Sequence, residues 1–306
     1  MRFEVTTLGT GAALPARGRY PSAQLLNIHE RLFLIDCGEG TQERLRMAQV
    51  NMGRIERVFI SHMHGDHYLG LMGLISSLHL LGRTAPLGVH GPRELREVIE
   101  VQLRASGTYL RYPLHIQPVE HVSGAVVFRD NQVEVTGLAL RHRVECTGFL
   151  FREMPGPRKL LKEKVASIPH YARQGVKMGG DLVLPDGSVV PNSELTAPPP
   201  PPRSYAYCSD TAYAPELVPF LRGTDLLYHE ATFSEALAAR AKETMHSTAR
   251  QAATLARDAG VGQLMLGHFS SRYKAVSVLL HEATEVFPET LLSEEGSTFQ
   301  VGRPHL

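Results

Sequence analysis

Apolar and polar positions follow two rhythms along this chain. Short β-branched and apolar runs recur, and longer stretches with helical spacing lie between them. The short runs predict strands at Phe3–Leu8, Gln24–Ile28, Leu32–Ile35, Val58–Ser61, Leu87–His90, Val133–Leu140, Gly148–Phe151, Ser204–Cys208, Leu226–His229 and Gln263–Leu266. The longer stretches predict helices at Thr41–Gln49, Tyr68–Leu81, Pro92–Arg104, Pro215–Leu221, Ser234–Lys242, Thr248–Ala259 and Val276–Val286. Pro92 suits a first helical turn, and Gly260, just past Ala259, suits a helix stop. Strands and helices interleave throughout, so the expected class is α/β, with helices covering the sheet faces.

The rhythm fails from Phe151 to Arg203, a segment rich in Pro, Gly and Lys that ends in the extended run Pro198–Pro202. An irregular segment of this length inside a compact domain is usually functional or disordered. The expectation is a single domain over residues 1–306, with 151–203 an arm inserted into it and projecting from it.

Composition narrows the picture. With 43% hydrophobic and 21% charged residues, the chain has the balance of a globular enzyme. A net charge of +1 excludes a polycation, so any nucleic-acid binding must come from a local patch. The N-terminus has no basic-then-apolar leader, and no apolar run is long enough to span a bilayer, which predicts a cytoplasmic protein without a membrane partner. Cys37, Cys146 and Cys208 form no CxxC pair and read as small buried hydrophobes before reactive thiols. Histidine is the outlier, at 15 residues.

Ser61-His62-Met63-His64-Gly65-Asp66-His67 follows a predicted strand and precedes an apolar helix. In an extended turn His62 and His64 can face one metal. Asp66 and His67, where the chain turns into the helix, can face a second. Imidazole and carboxylate suit zinc. His142, Asp210 and His268 each come just after a predicted strand, at the carboxyl end where α/β sheets place their sites. Taken alone, His142 reads equally well as a hydrogen-bonded loop residue.

This set resembles the dinuclear zinc motifs of the metallo-β-lactamase superfamily. The resemblance implies a four-layer αββα sandwich holding two Zn2+ per subunit. His62, His64 and His142 would hold the first ion, Asp66, His67 and His268 the second, and Asp210 would bridge them. Other segments are similar to those of the ribonuclease Z family of tRNA 3′ endonucleases. They are Leu8-Gly9-Thr10-Gly11-Ala12 with Pro15–Arg19, Tyr228-His229-Glu230-Ala231-Thr232-Phe233, Met245-His246-Ser247-Thr248-Ala249 and Gly267–Tyr273. The likeness implies cleavage of the 3′ trailer from precursor tRNA, with no DNA partner expected. It also implies a homodimer whose subunits lend each other their arms.

Phosphodiester hydrolysis needs a nucleophile, neutralised phosphoryl charge and a proton for the leaving oxygen. Asp66 is the candidate proton acceptor and His246 the candidate donor, oriented by Glu230. Glu230 and His246 also fit a purely structural pair. Ser247 reads as a helix N-cap before a catalytic residue.

Between Arg141 and Lys177 the bases Arg141, Arg143, Arg152, Arg158, Lys159, Lys162, Lys164, Arg173 and Lys177 face only Glu145, Glu153 and Glu163. A basic arm of this kind can grip phosphates far from the metals, and it also fits an ordinary solvated loop. Where many relatives have a Gly-Pro-rich arm signature, this chain has Ile168–Lys177, so its contacts are expected to differ. Arg17 and Arg19 fit either phosphate contacts or surface charges. Tyr20, Phe269 and Tyr273 fit either base stacking or core packing. The alternative function is another dinuclear hydrolase of this fold, a phosphodiesterase or thioesterase.

Overall fold

Burial alternates residue by residue over 3–7 of the strand Phe3–Gly9 and over 133–137 of the strand Val133–Leu140, so each strand has one face turned to a common interior. The computed structural model describes residues 2–302. It contains two seven-stranded sheets packed face to face. The first runs in the order Thr298–Gln300, Phe3–Gly9, Ala23–Ile28, Arg31–Ile35, Ile55–Phe59, Leu87–Gly91, Leu114–Pro118. The second runs Thr290–Leu292, Gln263–Gly267, Leu226–Glu230, Ser204–Cys208, Cys146–Glu153, Val133–Leu140, Val126–Arg129. Between them lie Phe3, Phe33 and Phe59 of one sheet and Phe149, Phe151, Tyr205 and Tyr228 of the other. Each buried phenylalanine contributes roughly 1.5–3 kcal/mol.

Helices cover both outer faces. Leu71, Leu74, Ile75 and Leu78 of the helix Leu71–Leu80 pack with Leu95 and Ile99 of Glu94–Ala105 against the first sheet. On the second sheet lies Ala249–Ala259, whose Ala249, Ala252, Ala253, Ala256 and Ala259 form a buried stripe at helical spacing. These small side chains let the helix sit close on the strands. The result is the αββα sandwich, a metallo-β-lactamase architecture. Among the described residues no helix is long and apolar enough to cross a membrane.

Several boundaries differ from the sequence reading. The helix expected over Tyr68–Leu81 is two pieces, Gly65–Tyr68 and Leu71–Leu80. The break falls at Gly70, where a Cβ would lie 2.1 Å from the Gly38 carbonyl oxygen. Ser234–Lys242 resolves into a 3-10 turn, Glu235–Leu237, and the helix Ala238–Thr244. Thr248, not Ser247, is the N-cap of Ala249–Ala259, because its hydroxyl and the Gln251 side chain form a reciprocal capping box. The Ser247 hydroxyl instead donates to the Thr211 carbonyl at 2.7 Å. In the two large sheets four strands have no counterpart in the sequence reading: Leu114–Pro118, Val126–Arg129, Thr290–Leu292 and Thr298–Gln300. All lie at or beside sheet edges and are half exposed, so they carry no clean apolar run.

The strand Cys146–Glu153 runs three residues into the segment expected to be the arm. Beyond it the chain is not irregular. Lys159–Leu160 pairs with Thr196–Ala197, and Leu182–Val183 with Val189–Val190. Ile168, Val176, Leu182 and Leu195 form a small core separate from the main one. Buried Asn192 holds this core together, its Nδ2 donating to the carbonyls of Val176 and Gly180 at 2.7 and 2.8 Å. Elements of two to six residues are too short to show periodicity, which is why the sequence hid them.

Candidate metal centre

Most of the residues that build the centre sit at the carboxyl ends of strands in both sheets. Asp36 follows Arg31–Ile35, His62 lies just past Ile55–Phe59, and His142 just past Val133–Leu140. Asp210 follows Ser204–Cys208, Glu230 closes Leu226–Glu230, and His268 follows Gln263–Gly267. Asp36 and His268 have left-handed backbone, φ 55° and 56°. Strain of this kind concentrates at functional sites. Gly267 is needed beside His268, since a Cβ there would sit 2.3 Å from the Tyr228 ring.

The seven expected ligands converge in two groups around Asp210. In the first, His64 Nδ1 lies 3.1 Å from His62 Nε2 and 3.1 Å from His142 Nε2. Asp210 Oδ2 is 3.7 and 3.8 Å from those same Nε2 atoms. In the second, Asp210 Oδ1 is 3.3 Å from His67 Nε2 and 3.1 Å from His268 Nε2. Asp66 Oδ2 is 3.4 and 3.5 Å from the same pair. Asp210 thus turns one oxygen to each group.

These residues fit a pair of cations. A tetrahedral site with bonds of about 2.0–2.1 Å has ligand-to-ligand edges of about 3.3–3.4 Å, and the observed spacings cluster around that length. His67 Nε2 and His268 Nε2 are buried with no hydrogen-bond partner among the described residues. The charge points the same way. Asp36, Asp66, Asp210 and Glu230 crowd together, and among the described residues no lysine or arginine pairs with any of them. Burial pulls the His67 pKa down, but Asp210, Asp36 and Asp66 outweigh it and raise it well above the usual value. Burial is the leading cause holding His62, His64 and His142 in the neutral form a ligand requires.

The far nitrogens of four of these imidazoles are anchored, which fixes the converging ones. His142 Nδ1 donates to the Met245 carbonyl at 3.0 Å, and His67 Nδ1 to Asp36 Oδ2 at 2.7 Å. His62 Nδ1 lies 3.0 Å from Ser61 Oγ, which itself donates to Asp36 Oδ2 at 2.9 Å. His268 Nδ1 lies 3.0 Å from Thr232 Oγ1. Asp36, missed in the sequence, therefore steadies a histidine in each group. Its signal is nonetheless present, since it too comes straight after a strand. Asp36→Asn is expected to weaken metal binding by about 10–100-fold while the chain still folds, measured by competition with a chromophoric chelator.

Beside the two groups His246 Nδ1 donates to Glu230 Oε1 at 2.8 Å. Glu230 is fully buried and also accepts from Thr211 N at 2.8 Å, Thr232 N at 3.2 Å and Thr232 Oγ1 at 2.6 Å. A carboxylate with four donors is held ionised and still. Burial opposes charge on His246, but the Glu230 charge and hydrogen bond outweigh it and push its pKa up to about 9. The His246 ring centroid is 5.2 Å from that of His142 and 5.5 Å from that of His268, so it stands between the two groups.

The other residues expected to contact substrate have partners or burial of their own, the three lysines of the arm excepted. Arg17 Nε donates to the Ser271 carbonyl and Arg19 to that of Tyr273 at 2.8 Å, so both brace the loop after His268. Phe269 is buried in the core, and the Tyr273 hydroxyl accepts from Ser234 N at 2.8 Å. Tyr20 stacks under Arg44. In the arm Arg158 and Arg173 bond to arm atoms. Lys159, Lys162 and Lys164 are exposed, and among the described residues no ion pair engages them. All three cysteines are buried, and burial pushes the Cys37 and Cys208 thiols up to about 12.

Comparison with known proteins sharpens the picture. A family model described as anti-Pycsar protein Apyc1 matches residues 3–107, a stretch that holds the His62–His67 segment and none of the later ligands. The ribonuclease Z of Bacteroides fragilis is 47% identical over 296 residues, covering 96% of this chain and 97% of that protein. The crystal structure of human tRNase Z, short form, superposes with a TM-score of 0.71 at 27% identity, covering 98% of this chain and 100% of that one. The metallo-β-lactamase fold protein YhfI from Bacillus subtilis superposes with a TM-score of 0.70 at 19% identity, over 98% of this chain and 100% of that one, a likeness of fold alone.

Proposed function

The chain belongs to the ribonuclease Z family, and from that premise we propose that it cuts the 3′ trailer from precursor tRNA. The products are a tRNA with a 3′-hydroxyl and a trailer with a 5′-phosphate. The observation that carries this reading is Asp210, one oxygen toward each ligand group, with the Glu230–His246 pair alongside. We assign two zinc ions per subunit, one to His62, His64 and His142 and one to Asp66, His67 and His268, with Asp210 shared. When bound, such a pair supplies positive charge for the phosphoryl oxygens and lowers the pKa of water toward about 7.

The chain's own groups do the rest. Asp66 accepts a hydrogen bond from Ala13 N at 2.8 Å, which holds its carboxylate at the centre, where it takes the proton of the attacking water. Glu230 occupies Nδ1 of His246, so Nε2 is the nitrogen that gives its proton to the departing ribose 3′ oxygen. Lys159, Lys162 and Lys164 on the arm hold tRNA phosphates. The homodimer and the cytoplasmic setting rest on the family resemblance.

Incubation with a 3′-extended precursor tRNA and with a chromogenic phosphodiester tests the reading. Cleavage of the tRNA at its 3′ side, with ends mapped as above, is expected. Turnover of the chromogenic ester alone would favour a small-molecule phosphodiesterase. In the same assay, replacing Lys159, Lys162 and Lys164 together with alanine is expected to raise KM for tRNA. It should flatten the salt dependence by about one unit of log–log slope for each phosphate no longer neutralised. Turnover of the small ester should not change, and an unchanged KM for tRNA would remove these lysines from the interface.

A further inference from the structure

Thr232 is 4% exposed and touches both the second ligand group, at His268, and the Glu230–His246 pair. Its Oγ1 lies 2.6 Å from Glu230 Oε2, 3.0 Å from His268 Nδ1 and 3.0 Å from the His268 carbonyl oxygen. A threonine hydroxyl has one proton to give and two lone pairs to receive with. The shortest contact is to an ionised carboxylate, and charge-assisted bonds of this kind are the strong ones. The proton therefore goes to Glu230, which leaves the oxygen to accept from His268 Nδ1–H. That settles the tautomer: His268 carries its hydrogen on Nδ1 and turns the bare Nε2 toward Asp210 and Asp66. His246 Nδ1 is 3.4 Å from the same oxygen but 2.8 Å from Glu230, so it belongs to Glu230.

The arrangement repeats what stands on the other side. Asp36 binds His67 directly and reaches His62 through the Ser61 hydroxyl. Glu230 binds His246 directly and reaches His268 through the Thr232 hydroxyl. In each case one buried carboxylate governs two imidazoles, one of them through a hydroxyl. On the second side one of the two imidazoles is the proton donor and the other a ligand.

We propose that Thr232 is a positioning residue whose hydroxyl links the ligand His268 to the Glu230–His246 pair, so that loading of the Asp66–His67–His268 group and the setting of the proton donor depend on one hydrogen-bonded unit. This rests on the function proposed above. Two replacements separate the hydroxyl from the shape of the side chain: Thr232→Val keeps the shape and removes the hydroxyl, and Thr232→Ser keeps the hydroxyl.

The test is zinc affinity by competition with a chromophoric chelator, together with kcat and KM on 3′-extended tRNA at saturating zinc. For T232V one of two zinc equivalents is expected to bind about 10–100-fold more weakly, with kcat down by about tenfold or more and KM within about twofold. T232S is expected to restore both readouts to within about threefold. Two tight equivalents and unchanged kcat in T232V would overturn the inference. So would a T232S protein as impaired as T232V, since packing and not the hydroxyl would then be the cause. If the unsubstituted protein binds no zinc, the reading of the centre fails first and this inference with it.

Discussion

His246→Ala is expected to retain its full metal content and to cleave precursor tRNA roughly 10²–10⁴-fold more slowly, the contribution typical of a positioned general acid. The separation follows from the geometry. His246 Nδ1 is engaged by Glu230, while each ligand group closes without it, as His62, His64, His142 and Asp210 on one side and Asp66, His67, His268 and Asp210 on the other. Metal analysis on the variant, beside its single-turnover cleavage rate, decides the matter. Full metal with a near-normal rate would remove His246 from the chemistry and leave the pair a structural one.

The same pair gives a pH signature. Glu230 raises the His246 pKa, so the protonated donor persists to higher pH than a free imidazole would and is lost as pH rises through that value. With Glu230→Gln the pKa falls, and the alkaline limb of the kcat/KM profile is expected to move to lower pH. A limb that stayed in place would assign it to another group.

Asp210→Ala is the second large effect. Asp210 is buried and, among the described residues, is the one side chain whose two oxygens reach separate ligand groups, Oδ1 at 3.1 and 3.3 Å from His268 and His67, Oδ2 at 3.7 and 3.8 Å from His62 and His142. Removing it takes a ligand from both sites at once. Bound zinc should fall below one equivalent per chain under conditions that load the unsubstituted protein. The loss of affinity should exceed the roughly 100-fold ceiling expected for an orienting partner such as Asp36. Two equivalents still tightly held by D210A would show that the shared carboxylate is not a ligand.

The centre is more legible in the sequence than the body around it, for reasons visible in particular residues. His62, His64, Asp66 and His67 lie in one short segment, and His142, Asp210 and His268 each follow a strongly apolar strand, so spacing and strand ends are enough to find them. Asp36 obeys the same rule but stands alone, without a histidine beside it to draw attention. Thr232 cannot be found this way. Its role is a hydrogen-bond geometry spanning Glu230 and His268, 36 residues apart from it in one case. The arm hides its order because a four-residue core of Ile168, Val176, Leu182 and Leu195 gives too few apolar positions for any period. Arg17 and Arg19 show the limit of reading charge from sequence. A guanidinium near a motif is as suited to backbone carbonyls as to phosphates, and here both reach carbonyls.

The most direct test is a zinc titration of metal-stripped protein, reading bound zinc per chain and trailer release from 3′-extended tRNA in the same samples. Two equivalents should bind, with cleavage appearing as the second loads and the tRNA product ending in a 3′-hydroxyl. Full-rate cleavage by a chain holding no cation would contradict the account at its root.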